Sequence, residues 1–108
     1  LLLDHNVPVC VSKVNPFVEN REDARKILKN HNFIQVYVKC SLDLCEKRDV
    51  RGMYKKARVN EINNFIGIHV NYEPPINPEL VVDTEKSPID NSVQIILDYL
   101  NENKMIKI

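Results

Sequence analysis

The chain has 108 residues, which is enough for one domain and no more. Its 15 basic and 15 acidic residues cancel, so overall charge gives no reason to expect nucleic acid or an anionic membrane as a partner. No apolar run approaches the roughly 20 residues that span a bilayer, so we expect no membrane contact. The 3 cysteines lack the spacing of a disulfide framework or a zinc site, and they favour a reducing compartment such as the cytoplasm.

The first third of the chain predicts a helix end, a strand and a helix, in that order. Residues 1–5 form a last helical turn that stops at Asn6, and the apolar, β-branched residues 7–12 predict a short buried strand. Residues 13–18 then form the loop that leaves the carboxyl end of this strand. Asn20 caps a helix that runs to about Asn30.

Strands and helices continue to alternate over the rest of the chain. Residues 33–38 predict the strongest strand, and Ser41 opens a short helix behind it. Residues 80–83 predict a third strand, followed by an amphipathic helix with Ser87 as N-cap and Pro88 at its first position. Short apolar strands that alternate with helices predict a parallel α/β sheet with helices on its faces, whose ligands gather at the carboxyl ends of the strands.

A basic segment, residues 48–67, lies between these elements. It contains the chain's two glycines, Gly52 near its start and Gly67 at its end. Two interpretations compete: a flap that closes over a polyanion, and an exposed helix with solvated cations. If residues 48–58 formed one helix, Arg51, Lys55 and Arg58 would share a face. The pattern alone favours the exposed helix, and it favours a core position for Phe65 over a stacking platform for a base.

One motif is absent. No glycine precedes Gly52, so the chain contains no GxxxxGK[ST] phosphate-binding loop before it. A nucleotide kinase would need that loop elsewhere, and a chain that begins on Leu1 without Met is expected to be a piece of a longer protein.

Three motifs at matched spacing carry a resemblance: NPFVENREDAR at 15–25, CEKRDVRGMYKKAR at 45–58, and NEINNFIGIHVNYEPPINPELVVDT at 60–84. This string resembles the adenylylsulfate (APS) kinase family, particularly the kinase domain of bifunctional PAPS synthases. The resemblance implies the C-terminal portion of a P-loop kinase-type domain, with a parallel sheet flanked by helices. Residues 1–108 would be a partial APS kinase domain, and the basic segment, approximately residues 48–67, would be its lid.

The resemblance also implies an activity, phosphoryl transfer from ATP to the 3′-hydroxyl of APS, which gives PAPS and ADP. Mg²⁺ would accompany ATP, with its ligands mostly outside this chain and no metal ligand assigned here. The catalytic residues would be Lys55, Lys56 and Arg58. The APS-binding residues would be Val14, Asn15, Arg51, Asn64 and Phe65. The ATP-binding residues would be Arg48 and Ser87.

This sequence departs from the family pattern at several positions. Asn15 replaces a usual Ser, so we assign it no covalent role and expect direct, in-line transfer. Arg51 replaces Lys, which keeps the charge and changes the geometry, and Asn60 replaces Gly.

Two alternatives remain: another small-molecule P-loop kinase, and a degenerate kinase-like module for binding or dimerisation. We further expect a homodimer in the cytoplasm, with the nucleus as the alternative compartment and a fused sulfurylase domain as an option. We expect no kinase activity from these 108 residues alone.

Overall fold

The computed structural model describes residues 2–103, and its elements follow the alternation expected from the sequence. A 3-10 turn (Leu3–His5) comes first and ends at Asn6, whose φ of 59° is left-handed, so the predicted stop at Asn6 is confirmed. Leu1, where that turn was expected to begin, lies outside the described residues. The remaining elements are α1 (Val18–Ile27), β1 (Val36–Lys39), α2 (Leu42–Arg48), α3 (Met53–Arg58), β2 (Leu80–Asp83) and α4 (Ile89–Glu102).

The centre of the fold is a parallel pair of strands. β1 and β2 pair from Val36 opposite Leu80 to Lys39 opposite Asp83, so their carboxyl ends lie side by side. Val82 on β2 is 2% exposed, and α4 packs against this strand. Burial of apolar side chains such as Val82 contributes to holding α4 on the sheet. The predicted parallel sheet with flanking helices is therefore confirmed, and β2 has the predicted bounds.

The predicted strand at residues 7–12 is wrong. These residues form neither strand nor helix, and Val11 is 77% exposed. A β-branched run supplies strand propensity, but a strand also needs a neighbour whose N–H and C=O groups complete the ladder. Within residues 2–103 the sheet has two strands, and neither pairs with this run.

The first helix begins two residues before the predicted cap. Asn20 lies inside α1, and Phe17 occupies the N-cap position without a side-chain cap of its own. The Val18 N–H donates instead to the Glu73 carboxylate at 2.8 Å, so the helix start is satisfied from 55 positions away. β1 likewise begins at Val36 and not at 33, because its partner strand begins at Leu80.

The basic segment does not form one helix. Ser41 caps α2 as predicted, since its hydroxyl accepts from the Leu44 N–H at 3.3 Å. The chain then leaves the helical path at Asp49, and Gly52 precedes α3 with a φ of 67°, a left-handed conformation that glycine adopts at little cost. Arg51 therefore lies in the turn between α2 and α3, off the face that carries Lys55 and Arg58.

The last helix begins one residue later than predicted. Pro88 is the N-cap residue of α4, and the Ser87 side chain makes no cap bond to it. The Ser92 N–H donates to the Pro88 carbonyl at 3.1 Å, which closes the first turn. None of the helices within residues 2–103 is both long and apolar enough to cross a membrane.

Candidate functional site

A pocket of about 760 Å³ lies where the two strands end and α4 begins, and we call it the edge pocket. Arg48 and Ser87, the two residues predicted for ATP, both line it. They come from different elements, α2 and the turn before α4. The structure therefore brings this predicted pair together at the carboxyl edge of the sheet, where ligands of parallel sheets gather. The apolar lining is Val38, Val82, Ile89, Val93 and Ile96.

Arg48 is fixed at this pocket by the turn that follows β2. Its Nη2 donates to the Thr84 carbonyl at 2.9 Å, and its Nη1 lies 3.3 Å from the Thr84 hydroxyl and 3.8 Å from the Cys40 sulfur. That hydroxyl in turn donates to the Lys39 carbonyl at 2.9 Å. Because the Thr84 contacts involve both terminal nitrogens, they fix the plane of the guanidinium as well as its position. A planar cation beside apolar side chains is suited to the face of an aromatic base.

Ser92 is a pocket residue that the sequence did not reveal. It lines the edge pocket, it is 8% exposed, and its Oγ has no hydrogen-bond partner. An unpaired buried hydroxyl carries a desolvation cost, so a ligand that bonded to it would recover that cost on binding. In the sequence Ser92 is one small residue within a predicted helix, so the pattern did not indicate that it lines a pocket.

The basic segment is shaped by an acid that sequence reasoning also missed. The Asp49 carboxylate accepts from the Tyr54 N–H at 3.0 Å and from the Lys55 N–H at 3.1 Å. These bonds satisfy the free amide groups at the start of α3, as a helix cap does. Lys55 and Lys56 then leave the helix as exposed side chains, and Arg51 is exposed in the turn before it.

Arg58 differs from the two lysines because it has a partner on α2. Its Nε lies 3.1 Å from Glu46 Oε2, and its Nη2 bonds the other carboxylate oxygen. This bidentate bond lowers the pKa of Glu46 and raises the pKa of Arg58. The pair joins α2 to α3, so the Arg58 charge is already shared with a carboxylate.

Phe65 lies in the loop after α3 and packs on that helix. Its ring meets the Tyr54 ring edge to face, with centroids 4.9 Å apart. Burial, followed by the neighbouring Cys45 thiol, raises the pKa of the Tyr54 hydroxyl. Two residues near Phe65 have a left-handed backbone: Asn64, directly before it, has a φ of 56°, and Gly67, two residues after it, has a φ of 97°. This φ is one that residues with a side chain rarely adopt, and a Cβ at Gly67 would also lie 2.9 Å from the Leu42 side chain, so the position favours glycine.

Val14 and Asn15 lie in a separate loop that Arg21 holds. The Arg21 guanidinium donates to the carbonyls of Asn15 and Glu73, and it lies 5.2 Å from the centre of the Tyr72 ring. The Glu73 N–H donates to the Pro16 carbonyl at 2.8 Å. These contacts tie the loop that contains Asn15 to the segment that follows Phe65. Val14 is 62% exposed and Asn15 is half-buried.

No group of three or more His, Cys, Asp or Glu side chains in the described part of the chain could hold a metal ion. Mg²⁺ in nucleotide-dependent enzymes usually keeps several waters and binds through one or two carboxylates together with the phosphates of the substrate, so it does not require such a group.

Comparisons with known proteins agree with the motif string. A family model described as adenylylsulphate kinase matches residues 1–83. The chain belongs to this family. The adenylyl-sulfate kinase of Oceanobacillus iheyensis is 47% identical over 106 residues, and that of Staphylococcus epidermidis is 44% identical over the same length. Each alignment covers 98% of this chain and 53% of the relative, so the chain spans about half the length of the curated relatives it matches.

A solved adenylylsulphate kinase structure extends the agreement to the fold. The APS kinase of Mycobacterium tuberculosis, in complex with AMPPNP and APS, superimposes with a TM-score of 0.74 at 39% identity. The match covers 80% of this chain and 50% of that one. The fold is therefore a partial α/β domain of the P-loop kinase type. The family model ends at Asp83, so it includes the basic segment, whereas Ser87 and Ser92 lie beyond it.

Proposed function

We propose that this chain supplies the nucleotide-covering part of an adenylyl-sulfate kinase, which transfers the γ-phosphoryl group of ATP to the 3′-hydroxyl of APS. The observation that carries the proposal is the edge pocket, where Arg48 and Ser87 meet beside the basic segment. Family membership supports the reaction class, and the M. tuberculosis relative is named as a complex with AMPPNP and APS.

ATP is assigned to the edge pocket. The adenine would lie against the apolar lining, with the Arg48 guanidinium on its face. The two bonds from Arg48 to Thr84 hold that plane before the nucleotide arrives, so little side-chain freedom is lost on binding. Ser87 would contact the nucleotide from the turn before α4.

APS is assigned to the loops around Phe65 and Asn15. The Phe65 ring is half-buried, and it would stack on the APS adenine while the Tyr54 ring supports it edge to face. Asn64 would orient the same base, Arg51 would bind the anionic end, and Val14 with Asn15 would line the opposite wall. Arg21 supports that wall through the Asn15 carbonyl.

Lys55, Lys56 and Arg58 are assigned to the charge that passes between the substrates. Transfer of this kind is carried by positioning and by neutralisation of charge on the phosphoryl oxygens, and no protein nucleophile is required. Lys55 and Lys56 are exposed and could contact the phosphoryl oxygens directly. Arg58 is paired with Glu46, so it would contact them either within that ion pair or after the pair has separated. Mg²⁺ is proposed as the ion that accompanies ATP, held by the phosphates and by ligands mostly outside this chain.

Several properties of the whole protein remain proposals. The 108 residues contain no GxxxxGK[ST] loop, so we expect the chain alone to form no PAPS. A homodimer and a fused sulfurylase domain stay predictions. The three cysteines form no disulfides, which is consistent with a reducing compartment such as the cytoplasm.

Steady-state kinetics of the complete gene product test the proposal through Phe65→Ala. Stacking of a base on an aromatic ring contributes roughly 1–3 kcal/mol, so the KM for APS should rise roughly 5- to 150-fold while the KM for ATP stays within about twofold. Tyr54→Phe is the control, because it keeps the ring that supports Phe65. Equal losses for ATP and APS would contradict the assignment of Phe65.

Comparison of acceptors separates the alternatives. APS, AMP and dTMP should be offered to the wild-type protein, with ADP release as the readout. Preference for AMP or dTMP would favour another small-molecule kinase. Absence of transfer to all three would favour a binding or dimerisation module.

A further inference from the structure

His69 occupies an unusual position in the loop that carries Phe65, because both of its ring nitrogens are used. The Phe65 N–H lies 3.0 Å from Nδ1, and Asn60 Oδ1 lies 3.2 Å from Nε2. A backbone N–H can only donate, so Nδ1 is the acceptor and carries no proton. Nε2 therefore carries the ring proton and donates to Asn60. The imidazole thus links the start of the loop to the backbone of Phe65.

The Phe65 backbone is held from the same side through its carbonyl. That oxygen accepts from the N–H groups of Ile68 at 3.2 Å, His69 at 2.8 Å and Val70 at 3.2 Å. The backbone hydrogen-bonding groups of Phe65 are therefore all satisfied by residues 68–70, and only the His69 ring serves its N–H. This bond is exposed, so loss of the ring would leave the Phe65 N–H to water and would remove the protein group that fixes this amide.

Asn60 is suited to anchor the ring because of its own backbone. Its φ is 59°, in the left-handed region that Gly and Asn adopt more readily than other residues. The APS kinase pattern has Gly at this position, which meets the same backbone requirement and offers no side chain. Asn60 meets that requirement and adds the oxygen that receives the His69 proton.

We infer that His69, steadied by Asn60, is a positioning residue that holds Phe65 in place for the adenine of APS. This inference rests on the proposed function, because His69 acts through Phe65 and Phe65 is proposed to bind APS. We therefore expect His69 to affect the binding of APS and not that of ATP. Arg48 and the edge pocket depend on Thr84 and not on this loop, so the ATP side should be insensitive to His69.

Kinetics of the complete gene product provide the first test. His69→Ala removes one hydrogen bond to Phe65, so the KM for APS should rise about 2- to 12-fold, with the KM for ATP within about twofold of wild type. His69→Gln carries an acceptor and a donor at its tip, so it should recover most of the loss. Asn60→Gly keeps the left-handed backbone and should give a smaller rise than His69→Ala. His31→Ala, whose ring contacts Asp4 instead, is the matched control and should match wild type.

Hydrogen exchange provides a second readout that is independent of turnover. The Phe65 amide should exchange faster in His69→Ala than in wild type, and His69→Gln should slow it again. Unchanged exchange, equal rises in both KM values, or no recovery with His69→Gln would overturn the inference and leave the proposed function standing. A wild-type protein that forms no PAPS would overturn both, whatever the exchange result.

Discussion

Replacement of Arg48 tests the edge pocket most directly, because the contacts that each substitution of this residue removes are known. Arg48→Ala deletes a planar cation whose interaction with an aromatic face is worth about 0.5–2 kcal/mol. The KM for ATP should therefore rise roughly 2- to 30-fold at saturating APS, with little change in the KM for APS. Arg48→Lys keeps the charge but cannot bond Thr84 through two nitrogens, so it should fall between wild type and Arg48→Ala.

The matched control for Arg48 is Lys47→Ala. Lys47 precedes Arg48 in the last turn of α2, is exposed, and is not part of the pocket lining. The assay is coupled detection of ADP over a range of ATP concentrations with the complete gene product. If Lys47→Ala raised the KM for ATP as much as Arg48→Ala, the effect would be one of overall charge. A full recovery with Arg48→Lys would also refute the reasoning from the guanidinium plane.

Two further changes test features described above. Ser92→Ala should raise the KM for ATP about 2- to 12-fold if the nucleotide bonds the unpaired hydroxyl, and it should leave the melting temperature of the ligand-free protein equal to or above wild type because it removes a buried unsatisfied group. Glu79 is held by both Arg25 terminal nitrogens at 2.9 Å and by the Gln35 N–H. Burial alone would raise its pKa, but these bonds outweigh burial and lower it. The contribution of Glu79 to stability is therefore present above the ordinary carboxyl pKa and is lost as pH falls through the lowered value. Denaturant titrations from neutral pH to about pH 3 test this. The Glu79→Gln variant should be less stable than wild type at neutral pH, and the two stabilities should converge in acid.

Local chemistry explains which parts of the fold were predictable. The apolar run of β2 and the Ser41 cap of α2 were predicted correctly because propensity and capping depend on neighbouring residues. The start of α1 was not, because the Glu73 side chain that satisfies Val18 lies 55 positions away. The strand at residues 7–12 failed for a related reason, since strand formation depends on a partner that no local pattern supplies.

The site divides in the same way. The motif string named Arg48 and Ser87, and the structure places both at one pocket. The resemblance assigned no role to Asp49, Ser92 or His69, because Asp49 and His69 act through contacts across a turn or a loop and Ser92 is notable only as an unpaired buried hydroxyl. Such contacts leave no periodicity in the sequence, and Asn60 was visible only as a departure from glycine.

The Asp49 cap has a consequence for how the basic segment would recognise an anion. Because the carboxylate already occupies the Tyr54 and Lys55 amides, the start of α3 presents a phosphate with negative charge in place of free N–H groups. Attraction must therefore come from exposed side chains, namely Arg51 in the preceding turn and Lys55 and Lys56 on α3, whose long chains rotate independently of the backbone. Exposed charges of this kind are screened within about 8 Å at physiological ionic strength. Binding of an anion by this segment would therefore depend on the charge of the anion and its distance from these side chains, and only weakly on its shape.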